Sequence, residues 1–303
     1  MISISCFGEI LWDNFPSYRR IGGAPLNVAL RMHSLGASVN MISRLGQDPD
    51  GEEILKYLKD QGLSTELIQI DPTHKTGTVD VHLDATRTAT YTINKPAAWD
   101  AIDMTPEMKK AVSSSDALIY GSLATRSQRS EETLRALLKE ARFKIFDMNL
   151  RPPHYSMDRM EDLLLQADLV KLNDEELDEL AGYLKLSGTT ITQKMMDLAA
   201  WIPSEATICV TKGADGAQLL YKGEMYSNPG YRVEVADTVG AGDSFLATLC
   251  YHLLIRTTPQ QALDKACAMG SLVASKEGAI PAVTTNENKS KLRKSSSFLR
   301  QIK

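Results

Sequence analysis

Short apolar runs alternate with longer amphipathic stretches along most of the chain, and this rhythm predicts strands followed by helices. Residues 2–8 alternate and end in glycine, as a buried strand would. A helix is predicted over 25–35, with Leu26, Ala29, Leu30 and Leu35 on its apolar side and Gly36 ending it. A strand over 39–43 and a helix over 50–61, stopped by Gly62, come next. Further strand-type runs lie at 117–120, 144–147, 169–172 and 207–211, separated by helical patterns at 131–141, 158–165 and 191–201. Strands alternating with helices imply an α/β fold with a mostly parallel sheet covered on both faces.

Two segments break the rhythm. Residues 76–93 are rich in β-branched side chains around a polar turn, which predicts a hairpin. Its alternation leaves one face polar and suits strands outside the main sheet; residues 11–21 are expected to pair with it as a small flap. Residues 216–226 predict a second hairpin turning at Lys222-Gly223. Beyond Ala236 the pattern turns helical, over 244–255, 259–275 and 287–302. The last stretch carries Lys289, Lys291, Arg293, Lys294 and Arg300, but Leu292, Leu299 and Ile302 give it a packing side. It reads as a helix with a solvated face rather than a basic tail.

Composition adds exclusions. With 43% hydrophobic and 24% charged residues in 303, the chain has the make-up of a soluble globular protein. A net charge of -4 argues against broad nucleic-acid binding. No apolar run approaches the roughly 20 residues of a membrane-spanning helix, and the first residues lack the basic start of a signal peptide. Cys6, Cys209, Cys250 and Cys267 are scattered among apolar neighbours, with no CxxC pair. They read as buried thiols in a reducing compartment, and the cytoplasm is the expected location.

Gly240-Ala241-Gly242-Asp243 precedes the apolar run of Phe245, Leu246 and Leu249. Small residues entering a helix leave backbone N–H groups accessible, and these, with the positive end of the helix dipole, attract an anion. Asp243 in the first turn would stand beside that anion, where a carboxylate can accept a proton from an attacking hydroxyl. Taken alone, the same four residues also describe an ordinary helix start. No Walker A lysine follows, and no GxGxxG fingerprint succeeds the first strand, which argues against a dehydrogenase.

Asp237-Thr238-Val239-Gly240-Ala241-Gly242-Asp243-Ser244-Phe245 resembles the C-terminal DTxGAGDxF signature of the ribokinase-like (PfkB-type) carbohydrate kinases. Gly22-Gly23-Ala24-Pro25-Leu26-Asn27-Val28-Ala29 is similar to the N-terminal signature of the same family, in the right order. The resemblance implies a doubly wound α/β domain over residues 1–303, with a small β lid from about 10–21 and 76–95. It implies an ATP-dependent sugar kinase with Asp243 as catalytic base and Gly240, Ala241 and Gly242 as an anion hole. Asp13, at the end of Gly8-Glu9-Ile10-Leu11-Trp12-Asp13, is expected to hold sugar hydroxyls together with Gly22, Gly23 and Asn27.

Asp147-Met148-Asn149-Leu150-Arg151-Pro152 is similar to the fructokinase-type motif and assigns Arg151 to a sugar or phosphate oxygen; otherwise Arg151 is a surface cation. Asn173-Asp174-Glu175-Glu176 fits the family's N-x-x-E, which implies that Asn173 and Glu176 organise Mg2+ and the nucleotide phosphates, Glu176 through water. The alternative is a simple acidic helix start. Thr211-Lys212-Gly213-Ala214-Asp215-Gly216 resembles the nucleotide-binding turn, which gives Thr211, Gly213 and Gly216 as ATP neighbours. Asp237 and a loop resembling residues 278–282 outline a K+ site, although Ala282 stands where some relatives have serine.

Fructose is the expected substrate. Asn94-Lys95 departs from an aromatic–arginine pair common in fructokinase-type members, and ribose, 2-keto-3-deoxygluconate and other small sugar acids stay open. A non-catalytic sugar-binding regulator on the same fold is the alternative of another class. A homodimer formed through the lid is expected as well.

Overall fold

The computed structural model describes residues 1–83, 89–202 and 205–281; the helix expected over 287–302 and Ala282 lie outside these. Two compact units make up the chain, Ser3–Arg142 and Phe143 onward. The first runs β1 (Ser3–Phe7), β2 (Leu11–Asn14), β3 (Arg19–Gly22), α1 (Ala24–Ser34), β4 (Ser38–Gly46), α2 (Pro49–Asp60), β5 (Ile68–Asp71), β6 (Gly77–Leu83), β7 (Ala89–Ile93), α3 (Pro106–Ser114), β8 (Ala117–Gly121) and α4 (Gln128–Leu138). β1 pairs in parallel with β4 and β8, and β4 with β5. A strand flanked on both sides and covered on both faces must be apolar throughout, and Ile4, Cys6 and Phe7 are fully buried. Of its two serines the inner one, Ser5, is buried too, and its hydroxyl bonds the Ser115 hydroxyl at 2.9 Å.

Two elements here went unread in the sequence. β5 is only Ile-Gln-Ile-Asp, an alternation too short to stand out without its partner β4. α3 has a legible start, Thr105 accepting a bond from Met108 N–H at 3.3 Å and Pro106 in the first turn. Its apolar stripe is too thin to read, since only Met108 and Val112 are buried.

The flap is a separate four-stranded sheet in the order β3-β2-β6-β7. Residues 11–21 join the hairpin as expected, with β2 parallel to β6 and antiparallel to β3. Leu11, Val79 and Val81 form a small apolar cluster on it, joined by Phe15 and Ile93. Two anchors fix its base. The Arg19 guanidinium lies 4.0 Å from the Trp12 ring centroid and pairs with Asp50 and Glu53 of α2. Gly77 packs so tightly on Trp99 that a Cβ there would sit 2.5 Å from the indole nitrogen. Trp99 is in turn covered by Arg126, which binds both carboxylate oxygens of buried Asp100 at 2.7 and 2.8 Å. Asn94, the departure noted above, bridges Thr78 and Asp80 within this sheet at 2.7 and 3.0 Å, while Lys95 donates to the Arg126 carbonyl at 3.1 Å.

The second unit runs β9 (Lys144–Asp147), α5 (Met157–Leu164), β10 (Leu169–Asn173), α6 (Asp174–Leu184), α7 (Ile191–Trp201), β11 (Thr207–Thr211), β12 (Ala217–Tyr221), β13 (Glu224–Asn228), α8 (Ala241–Leu254) and α9 (Pro259–Ala274). β9, β10 and β11 are parallel, and β12 and β13 continue antiparallel through the hairpin read at Lys222-Gly223. Both turn residues have positive φ, 51° and 78°, which matches the twist of the flanking strands. α8 is buried from Ser244 to Cys250 without a break, so it is a core helix rather than an amphipathic one. Phe245 and Leu249 pack with Cys209, Leu219, Leu263 and Ala266, and Gly270 of α9 lets the α8 backbone approach closely. The main strands are thus mostly parallel and alternate with helices, the α/β architecture expected. All four cysteines are buried free thiols. Among the described residues no helix is long and apolar enough to cross a membrane.

Candidate active site

The Asp237–Asp243 stretch forms the entry to α8. Gly240 caps the helix in the left-handed region at φ 74°, a conformation glycine adopts without penalty. A Cβ at Gly240 would lie 2.6 Å from Ala279 Cα, so the turn and residues 278–279 are pressed together. Asp237 ties them further: its carboxylate accepts from Val239 N–H at 3.0 Å and from Gly278 N–H at 3.2 Å. Ala241 N–H closes the turn on the Thr238 carbonyl at 3.2 Å, so of the three expected anion-hole donors this one already has an acceptor. Asp243 is half-buried in the first turn, where the helix dipole favours negative charge.

A cavity of about 170 Å³ opens beside this turn, lined by Thr211, Gly213, Gly216, Gly230, Ala241, Gly242, Phe245, Cys267, Gly270 and Ser271. Five residues singled out in the sequence, Thr211, Gly213, Gly216, Ala241 and Gly242, therefore converge on one space. Gly216, at φ 79°, lies against the Asn228 carbonyl with no room for a Cβ. The wall from α9 was missed. Its signal was the small-residue spacing of Cys267, Gly270 and Ser271, which puts all three on one helix face.

Asn173 and Glu176 form a reciprocal capping box on α6. Asn173 Oδ1 accepts from Glu176 N–H at 2.7 Å, and Glu176 Oε2 accepts from Asn173 N–H at 2.8 Å. The helix-start alternative is thus realised, but the glutamate does more. Its other oxygen accepts from Leu150 N–H at 2.8 Å, fixing the loop after β9. Burial pushes the Glu176 carboxyl above its ordinary value, opposed by Lys171 and reinforced by Asp147. Arg151, on that loop, is exposed, and its guanidinium donates to the Leu150 carbonyl at 3.0 Å.

Lys171 was also missed, although a lysine inside the run Leu169-Val170-Lys171-Leu172 is itself a signal. It is 6% exposed, and its ammonium bonds Asp147 Oδ1 at 3.0 Å. Burial opposes the charge, but the Asp147, Glu176 and Asp243 carboxylates outweigh it and hold the pKa above that of an ordinary lysine.

In the first unit the expected sugar-binding residues adjoin one another. Gly22 lies against the Asp13 carboxylate so closely that a Cβ would overlap Oδ2. Gly23, at φ 113°, lies against the Glu9 carbonyl, and its own carbonyl accepts from Asn27 N–H at 2.9 Å. Asn27 is 5% exposed, beneath the turn.

The profile of the pfkB family carbohydrate kinases matches residues 18–286. The chain belongs to this family. Among relatives of this kinase, the fructokinase of Vibrio alginolyticus is 30% identical, over 87% of the present chain and 88% of its own. The fructokinase of Xylella fastidiosa, solved with ATP bound, superposes with a TM-score of 0.84 at 25% identity, covering 97% of this chain and 99% of that one. A double mutant of Vibrio cholerae fructokinase, solved with fructose, ADP and a potassium ion, gives a TM-score of 0.82 at 26% identity, with 96% and 98% covered.

Proposed function

We propose that this kinase transfers the γ-phosphoryl group of ATP to the terminal hydroxymethyl group of fructose, giving fructose 6-phosphate and ADP. The observation that carries the reading is the glycine turn entering α8, which puts Asp243 in the first turn beside a pocket lined by Ala241, Gly242, Thr211, Gly213 and Gly216. The bound ATP of the Xylella relative and the fructose of the Vibrio cholerae relative support it. The sugar hydroxyl gives its proton to Asp243 as its oxygen attacks the γ-phosphorus. The bond to the bridging oxygen breaks, and ADP leaves. The positive helix end and the N–H groups of Gly240 and Gly242 offset charge developing on the transferred group, while the Ala241 N–H holds the turn through the Thr238 carbonyl. Asp13, Gly22, Gly23 and Asn27 hold the sugar, with Arg151 on a sugar or phosphate oxygen.

Magnesium, which neutralises phosphate charge, fits Glu176 through a water. Both oxygens of that carboxylate are engaged by backbone N–H groups, and magnesium retains several waters beside one or two carboxylates. Potassium, present in the Vibrio cholerae relative, is assigned to the loops that Asp237 joins. Tyr18 and Tyr91 of the flap are 47% and 55% exposed and suit the expected homodimer through the lid. The buried thiols suit the reducing cytoplasm.

An ADP-release assay over fructose, ribose and 2-keto-3-deoxygluconate tests the substrate. Fructose is expected to have the highest kcat/KM; a higher value for another sugar reassigns the substrate. Binding without turnover for every sugar overturns the reading in favour of a regulator. Within the sugar site, Gly22→Ala drives a methyl into the Asp13 carboxylate. KM for the sugar is then expected to rise roughly tenfold or more with a smaller change in kcat, and nucleotide affinity measured by calorimetry stays unchanged.

A further inference from the structure

A buried ammonium normally avoids the N-terminus of a helix, because both are positive. Lys171 breaks that rule. Its Nζ lies 3.6 Å from the place a Cβ on Gly242 would occupy, facing the first turn of α8. The side chain is held there from β10 by the 3.0 Å bond to Asp147 at the end of β9. A second Asp147 oxygen, Oδ2, is buried without a hydrogen-bond partner, so this carboxylate turns its bonding on the lysine. Such a placement is sustained only where further negative charge compensates the ammonium. The groups acting on Lys171 are Asp147, Glu176 of α6 and Asp243 of α8. α9 presents uncharged groups to the adjacent cavity, Ser271 and the Cys267 thiol, which burial pushes up to about 12. Asp264, also on α9, reinforces that rise, and Lys212, after β11, opposes it.

We propose that Lys171 is a positioning residue for phosphoryl transfer: its ammonium, braced by Asp147, keeps the Asp243 carboxylate charged and fixed where it accepts the hydroxyl proton. The inference rests on the role given to Asp243 above. It explains why a cation occupies an otherwise apolar strand at this point. It also gives Asp147 a purpose distinct from contact with substrate. An opposite charge favours the ionised form of a carboxyl, so removing it raises the titration midpoint and removing a neighbouring acid lowers it.

Carbon-13 NMR of aspartate-labelled full-length protein tests this, with the Asp243 signal assigned by its loss in Asp243→Asn. The Asp243 midpoint is expected to rise by about one pH unit or more in Lys171→Met, to stay near wild type in Lys171→Arg, and to fall in Asp147→Asn. The acid limb of the kcat profile moves with the same signs, and sugar KM changes less than kcat. A purely structural lysine would lower stability and activity without these opposed shifts. An unmoved midpoint in folded Lys171→Met overturns the proposal, as does a rise in Asp147→Asn. If Lys171→Met does not fold, Lys171→Gln, which keeps a polar donor for Asp147, takes its place, and an unmoved midpoint there overturns the proposal. Failure of the wild type to phosphorylate any sugar would instead overturn the phosphoryl-transfer reading, and the NMR midpoints would still decide whether Lys171 controls Asp243.

Discussion

Asp243→Ala is expected to lower kcat by roughly 10²- to 10⁴-fold, the usual contribution of a positioned general base. The protein should remain folded. Asp243 is half-buried at the start of α8, and the residues that anchor this helix, Ser244 to Cys250, are untouched by the change. Losing a carboxylate from the first turn costs about 0.3–1 kcal/mol of dipole interaction, small beside the several kcal/mol of a typical domain. Asp243→Asn keeps the shape and removes only the base, so it should lose a similar factor in kcat. ADP release measured beside a thermal melt separates the two effects. Turnover near wild type in either folded variant would remove Asp243 from the mechanism.

The second large effect concerns the turn itself. Gly240→Ala forces a side chain into the left-handed region, at about 1–2 kcal/mol, and against Ala279 Cα at 2.6 Å. Overpacking of that kind adds about 1–3 kcal/mol. The strain is relieved by moving the turn away from residues 278–279, which displaces the N–H groups of the α8 entry from the place proposed for the phosphoryl group. Activity is expected to fall by about 10²-fold or more, since displacement by about 1 Å is enough for such a loss, with a lowered midpoint in urea. Gly223→Ala, in the hairpin away from the cavity, is the control: its φ is also positive, at 78°, but nothing lies within 4 Å of a Cβ there. It should show the backbone cost without the collision. Equal kcat in the two variants would mean that closeness to residues 278–279 does not matter.

The two effects differ in kind, and so does their visibility in the sequence. Gly240 and Asp243 were legible because a helix entry is local: the turn, its dipole and its first carboxylate depend on residues adjacent in the chain. The strands 144–147 and 207–211 and the helix 191–201 were legible for the same reason, since their periodicity lies within each segment. β5 was not, because a four-residue alternation is too short to stand out and becomes a strand only when β4 supplies the partner. Lys171 was visible as an anomaly in an apolar run, but its meaning required Asp147, Glu176 and the α8 entry, which lie on three other elements.

The sequence by itself determined the α/β rhythm, the flap and its recruitment of residues 11–21, and the glycine–aspartate turn with its likeness to the carbohydrate kinases. These follow from local propensity and from the spacing of apolar positions, which need no knowledge of distant neighbours. Only the tertiary structure decided which reading of the ambiguous motifs applies. It made Asn173 and Glu176 a capping box that also holds Leu150, bound Asp237 to Gly278, and set the Lys171 ammonium against Gly242. The reason is physical: hydrogen bonds and charge interactions act over a few ångströms, whereas these partners are separated by many residues of chain. Folding alone brings them within reach.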